Sequence, residues 1–270
     1  MKKIGFLGLG VMGLPMALNV LKKSGYPVLG FDVAQARLDQ FAAAGGETTS
    51  DPVDIYKTCD VIMQMLPTHP IIINSIKQAV QYGKPGNIIL DLDSTAPDII
   101  QELYPEVEAA GMHLLDSPVS GGNPMAIAGT LAIMTGGDKA VFEEVKPLLE
   151  CMGHPVYTGG SASGSITKLV NNMVAGAYLS AIAEGYAFAA KAGIDLQTTF
   201  DATRCGFAGG PLYDNKVPKI IHRDYEPGAR IAVHLKDIHN AKHFAHKLGV
   251  DTPVTDVTMQ IMEWMGDNGY

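Results

Sequence analysis

The chain has 270 residues, 47% of them hydrophobic and 18% charged, which is enough apolar side chain for a large core and too little charge for a disordered tail. Twenty Lys and Arg against 28 Asp and Glu leave a net charge of −8, so a phosphate-coated partner is repelled and nucleic acid is excluded from the expected partners. Cys59, Cys151 and Cys205 stand far apart and never as C-x-x-C, which argues against zinc or a dithiol centre and for a reducing, cytoplasmic setting.

Lys2 and Lys3 precede an apolar stretch over 4–21 that has the outline of a signal or anchor. It holds Gly5, Gly8, Gly10, Gly13, Pro15 and Asn19 and no small-residue cleavage site, so no membrane association is expected. Short apolar runs then alternate with longer amphipathic ones. Strands are predicted over 3–9, 28–32, 60–65, 87–91 and 113–116, and helices over 13–24, 34–44, 71–82 and 97–110, the second ended by Gly45 and Gly46. This alternation predicts parallel strands joined by crossover helices, an α/β doubly wound sheet. Further strands are predicted over 131–135 and 155–157, around a helix over 138–152.

After Gly160 the strand patterns vanish. Residues 165–192 read as one helix, uncharged from Leu169 to Ala183 and rich in small residues such as Ala175, Gly176 and Ala181. Such a helix is expected to be buried on most faces, against a neighbouring domain or a second subunit, so a homodimer or homotetramer is expected. The rest reads as helices with a Gly-rich link over 204–211.

Gly8-Leu9-Gly10-Val11-Met12-Gly13 is a G-x-G-x-x-G motif between the first strand and the first helix. The glycines allow a tight turn and close backbone approach to a pyrophosphate, which the helix N-terminus attracts. Asp32 ends the next strand, where a carboxylate accepts ribose hydroxyls and repels a 2′-phosphate. NAD is therefore expected as cofactor, with NADP as the alternative because Arg37 is near. The expected organisation is a Rossmann-type doubly wound domain over 1–160 and an all-helical substrate and oligomerisation domain over 161–270, built on the long interdomain helix.

Asp116-Ser117-Pro118-Val119-Ser120-Gly121-Gly122 leaves the C-terminal end of a strand, where open α/β sheets bind ligands. Ser120 with the Gly121 and Gly122 N–H groups would form an anion nest for a small carboxylate substrate. Leu66 and Pro67, and Ser94 and Thr95, reach the same sheet edge and are candidates to contact nicotinamide. Lys168 and Asn172, four apart on the long helix, share a face. A lysine there can exchange a proton with a substrate oxygen while hydride moves, or can be a snorkelling helix-end residue. His234, His239, His243 and His246 lack the Glu of an H-E-x-x-H site, so no metal is expected. Lys236-Asp237 reads from spacing alone as a helical ion pair or a surface feature.

Together, residues 8–16, 116–122, 164–172 and 236–237 resemble the β-hydroxyacid dehydrogenase family in order and separation. The resemblance spans nearly the whole chain. It implies that Gly8, Gly10 and Gly13 bind NAD(P) and that Ser120, Gly121 and Gly122 hold the substrate carboxylate. It further implies that Lys168 is the acid/base, that Asn172 orients substrate, and that Lys236 closes the site near nicotinamide. Residues 124–131, 204–209 and 227–231 are most similar to the members that reduce tartronate semialdehyde to glycerate. 3-Hydroxyisobutyrate or another short β-hydroxy acid is the alternative substrate, and a catalytically silent NAD-binding scaffold is the alternative of another class. Ala229 stands where an aromatic is usual, which would widen the pocket, and relatives usually carry a further helix with an Asp-x-Ser motif beyond the position of Tyr270.

Overall fold

The computed structural model describes residues 2–226 and 231–269. It divides into two compact units, Met1–Lys168 and Leu169–Tyr270. The division falls inside the long helix, whereas the sequence places its boundary near residue 160. The aromatic-to-Ala229 departure lies outside the described residues.

In the first unit, the strands β1 (Ile4–Leu7), β2 (Val28–Phe31), β3 (Glu47–Thr48), β4 (Val61–Gln64), β5 (Ile88–Asp91) and β6 (His113–Asp116) are parallel, in the order β3-β2-β1-β4-β5-β6. Crossovers are made by α1 (Gly13–Lys23), α2 (Gln35–Ala43), α3 (Pro52–Thr58), α4 (His69–Tyr82) and α5 (Pro97–Ala109). Helix α3 and strand β3 were not read from the sequence. Two residues are too few for an alternating pattern, and α3 is marked mainly by its Asp51 cap and the Pro52 that follows.

Strand residues alternate between the two covered faces, as the pleat requires. Ile4, Phe6, Val61, Met63, Ile88 and Leu90 pack with Met16, Val20, Leu38 and Phe41. Leu7, Ile62, Ile89 and Leu114 pack on the other side with Ile55, Ile76, Ile100 and Leu103. That is why IGFL, VIMQ and IILD read as nearly unbroken apolar runs.

Beyond β6 the sheet changes sense. β7 (Val119–Ser120) and β8 (Leu131–Gly136) are antiparallel, and β9 (Gly153–Gly159) runs parallel to β8. The helix α6 (Gly122–Ala128) lies between β7 and β8, and α7 (Lys139–Glu150) between β8 and β9. Beyond β6, Val119 and Ser120 pair with Ile133 and Ala132, and Gly122 then starts α6, so the segment after Asp116 forms a short strand and a helix start.

The 29-residue α8 (Ser163–Lys191) is followed by α9 (Leu196–Thr203), α10 (Pro211–His222), α11 (Ile231–Leu248) and α12 (Pro253–Asp267). The second unit centres on Ile182, Tyr186, Phe200, Tyr213 and Val217. Its buried phenols are paired, with Tyr186 and Tyr213 hydroxyls 2.7 Å apart. The small residues of α8 have a packing reason. A Cβ on Gly176 would stand 2.9 Å from His234 Nε2 of α11 and 3.2 Å from Thr258 Cγ2 of α12. The expectation that α8 is buried on most faces is not met within the chain, since Val170, Val174 and Phe188 are 56%, 63% and 74% exposed. Its buried apolar side chains are Leu169, Ile182, Tyr186 and Ala189.

Ile62 is completely buried in the central strand β4. Ile62→Ala should destabilise the first unit by about 2–5 kcal/mol, read as a lower urea midpoint with unchanged slope.

Candidate active site

The strand order reverses between β1 and β4, so the loops after these strands diverge and leave a crevice at the C-terminal edge of the sheet. The glycine loop enters it. Gly8 has φ +89, and a Cβ there would meet the Met65 carbonyl oxygen at 2.2 Å. A Cβ on Gly13 would lie 1.9 Å from the Gly8 carbonyl oxygen, so this glycine lets helix and loop touch. Gly10 is different, because nothing lies within 4 Å of its Cβ position. Two glycines thus serve the protein's own packing, and the third leaves open space beside the start of α1. That helix has no side-chain cap at Met12, and Val11 is exposed. Uncapped N–H groups beside open space fit a pyrophosphate.

Asp32 follows β2 and accepts hydrogen bonds from the N–H of Leu9 (2.6 Å) and of Ala34 (2.8 Å). It therefore stands against the glycine loop, where the sequence spacing places it. Next to it a cavity of about 150 Å³ is lined by Phe31, Leu66, Ile71, Asn74, Ser75 and Gln78, among others. Except for Leu66 these residues carry no site signal in the sequence: Ile71, Asn74, Ser75 and Gln78 all lie on α4 and read there as ordinary helix residues. Leu66 donates its N–H to both Asp93 oxygens (2.8 and 2.9 Å), and Pro67 is exposed just beyond. The Ser94 carbonyl lies 3.4 Å from His69 Nε2, and Thr95 is buried.

Asp116 ends β6, almost fully buried, and accepts from the N–H of Ala162 (3.0 Å) and of Ser165 (2.7 Å). Burial pushes its carboxyl up to about 6, with the nearby Asp91 adding to the rise and these N–H donors opposing it. Asp91 itself is pushed upward by burial, although Gln64 Nε2 donates to it at 3.0 Å. Three residues after Asp116, the Val119 carbonyl accepts from Lys168 Nζ at 2.8 Å. Lys168 is only 9% exposed, so it is no snorkelling side chain. Its ammonium is held next to Ser120, followed by Gly121 and Gly122 with φ +137 and +67. Asn123 Nδ2 ties α6 back to the glycine loop by donating to the Val11 carbonyl at 2.6 Å.

In the second unit, Asn172 lies one turn along α8 from Lys168. Its Nδ2 donates to Asp237 Oδ2 (2.7 Å) and its Oδ1 accepts from Asn171 (2.9 Å). Lys236 Nζ pairs with Asp237 Oδ1 at 3.2 Å, so buried Asp237 bridges the two residues assigned to this unit. The Lys236-Asp237 pair is thus an ion pair with one buried member, and the bond from Asn172 to Asp237 is what the sequence spacing does not show. Two of the four histidines have identified protein partners. His234 Nε2 lies 3.2 Å from the Asn172 carbonyl, and His239 lies 3.4 Å from Glu263.

Comparison with known proteins identifies the family. Residues 3–160 match the family described as the NAD binding domain of 6-phosphogluconate dehydrogenase. Residues 162–270 match the one described as the NAD-binding of NADP-dependent 3-hydroxyisobutyrate dehydrogenase. The 2-hydroxy-3-oxopropionate reductase of Escherichia coli is 32% identical, over 99% of this chain and 92% of its own. The solved 3-hydroxyisobutyrate dehydrogenase of Mycobacterium tuberculosis with L-serine is 30% identical, with a TM-score of 0.89, covering 99% of this chain and 94% of that one. A 3-hydroxyisobutyrate dehydrogenase structure from Salmonella typhimurium shares the fold at 24% identity, with a TM-score of 0.91 over 100% of this chain and 96% of that one. The protein is an NAD(P)-dependent oxidoreductase. The chain belongs to the β-hydroxyacid dehydrogenase family.

The contrast between the glycines is testable. Gly10→Ala should leave the melting temperature unchanged and weaken NADH binding by about tenfold or more, measured by fluorescence titration. Gly13→Ala should lower the melting temperature as well, because its Cβ has no room.

Proposed function

We propose that the protein reduces tartronate semialdehyde to glycerate with NADH, Lys168 acting as proton donor. The observation that carries this is the Lys168 ammonium, buried and held at 2.8 Å from the Val119 carbonyl, directly beside Ser120. Gly8, Gly10, Val11, Met12 and Gly13 would hold the cofactor pyrophosphate, and Asp32 the ribose. Leu66, Pro67, Ser94 and Thr95 would border the nicotinamide, and the cavity between Phe31 and Gln78 has room for an adenine. The bound nicotinamide supplies hydride from its C4.

The chain's own residues do the rest. Ser120 and the Gly121 and Gly122 N–H groups bind the substrate carboxylate, so that the aldehyde carbon is set by a charged anchor rather than by weak apolar contacts. Lys168 Nζ stabilises the oxygen as negative charge develops on it and then transfers a proton to it. Asn172, braced by Asp237 and Asn171, presents its amide to the same oxygen. Lys236, paired with the Asp237 that holds Asn172, covers the nicotinamide side. Asp32 favours NADH over NADPH by repelling a 2′-phosphate.

The substrate choice is supported by the 32% identity to the Escherichia coli 2-hydroxy-3-oxopropionate reductase and by the Gly206-Phe207-Ala208-Gly209 loop. Relatives named as 3-hydroxyisobutyrate dehydrogenases, such as the Mycobacterium tuberculosis structure at 30%, make 3-hydroxyisobutyrate the second reading. Following absorbance at 340 nm with tartronate semialdehyde and with methylmalonate semialdehyde, each with NADH and NADPH, decides both questions. A higher kcat/KM for tartronate semialdehyde with NADH is expected; preference for methylmalonate semialdehyde selects the second reading. Lys168→Ala should abolish turnover of the preferred substrate while keeping NADH affinity within about twofold, since the lysine acts on the reacting oxygen.

We also infer a cytoplasmic homodimer or homotetramer, with a second copy covering Val170, Val174 and Phe188 of α8. Light scattering should give a mass of two or four chains, and Val174→Asp should lower it. A monomer at micromolar concentration would refute the assembly and leave the chemistry above untouched.

A further inference from the structure

The first turn of α8 is gripped by the sheet from several strands. Asp116 of β6 accepts the N–H of Ala162 at 3.0 Å and of Ser165 at 2.7 Å. Thr158 of β9 places its hydroxyl 2.9 Å from that of Ser163 and donates to the Thr135 carbonyl at 3.0 Å. Gly164 lies so close that a Cβ would stand 2.3 Å from the Asp116 and Met134 carbonyl oxygens. Ala162, completely buried, takes a φ of +67, a conformation that costs an alanine free energy and that the Asp116 hydrogen bond helps to hold. One turn further on, Lys168 reaches back to the Val119 carbonyl, on the same strand-end segment that carries Asp116.

Among the described residues, three other aspartates accept N–H groups from the first turns of helices. Asp51, Asp138 and Asp195 are all exposed, so water shares the cost of their charge. Asp116 does the same work while buried, where a charge is costly to hold. A carboxylate offers two acceptor oxygens in one plane, and here each takes one N–H, on either side of the helix start. No neutral side chain of that size can do both. An asparagine would turn its NH2 toward one of the two N–H groups and lose that contact.

We propose that Asp116 is a positioning residue for Lys168: its carboxylate locks the first turn of α8 onto the sheet and so sets where the Lys168 ammonium stands beside Ser120. This rests on Lys168 being the proton donor. Asp116 makes no contact with substrate in this scheme. It acts through the backbone at 162–165 and the lysine that follows. A reacting group displaced by about 1 Å can lose on the order of 100-fold in rate, which is the size of effect such a lock protects.

Two variants test this in the full-length chain. Asp116→Asn removes one acceptor. Gly136→Ala keeps the carboxylate and pushes on it, because its Cβ would lie 2.6 Å from Asp116 Oδ1 and 2.7 Å from the Gly164 nitrogen. Rates are measured with whichever semialdehyde the wild type reduces faster and divided by the number of NADH-binding sites, so that a misfolded fraction does not count. Each variant should lower kcat per site by about 10- to 100-fold, with the KM for NADH within about twofold of wild type. Wild-type kcat per site in both variants, or a mere drop in the number of NADH sites, would overturn the proposal while Lys168→Ala stays inactive. An active Lys168→Ala would overturn the proton-donor assignment itself, and this proposal with it. Should Asp116→Asn fail to bind NADH, Gly136→Ala carries the test alone.

Discussion

A parallel sheet buries both of its faces, and the rest of this molecule follows from that constraint. Each crossover between β1 and β6 must return over a face as a helix, so these parallel strands all end at the same edge, and the loops that carry the glycine motif, Leu66 and Ser94 start there. The apolar strands β1, β4 and β5 take no part in chemistry; their work is to hold the ends of the loops at fixed spacing. Where the order reverses between β1 and β4, the crevice opens. Gly8 touches the Met65 carbonyl across it, and Gly10 faces free space within it.

The edge is then braced by carboxylates. Asp32, Asp93 and Asp116, which end or follow β2, β5 and β6, each engage backbone N–H groups with both oxygens: those of Leu9 and Ala34, of Leu66, and of Ala162 with Ser165. Hydrogen bonds to a charged acceptor are shorter and stronger than neutral ones, about 1.5–3 kcal/mol each. They stiffen loops that have no ladder partners. The first bears on the glycine loop, the second on the loop that carries Leu66 and Pro67, and the third on the helix that carries Lys168. A Rossmann edge is thus converted from a set of loose connections into positions that can orient a cofactor and a small acid. The second unit uses the same device, with Asp237 between Asn172 and Lys236.

Much of this is legible in the sequence because it depends on local pattern. The apolar runs, the amphipathic helices and the glycine motif each obey a short-range rule, and Asp32 is found by its spacing from Gly13. Short pieces escaped. β3, α3 and β7 are too brief to show a period, and β7 exists only because Ser120 and Val119 meet β8. The long helix was read to within two residues at its start, but its degree of burial was not, since that depends on which helices of the second unit fold against it.

What the sequence determined by itself is therefore the alternation of elements and the glycine loop, both set by periodicity or by spacing along one segment, while Lys168 was marked out only by the family resemblance. Only the tertiary structure decided what Asp116, Asp93 and Asp237 do. Each is an ordinary acidic residue in sequence and becomes a brace because a distant segment brings its N–H or amide within hydrogen-bond distance. Such pairings join positions as far apart as 172 and 237, and no local pattern records them. The reason is physical: hydrogen-bond partners of a buried carboxylate are chosen by the packing that excludes water, and that packing exists only once the chain has folded.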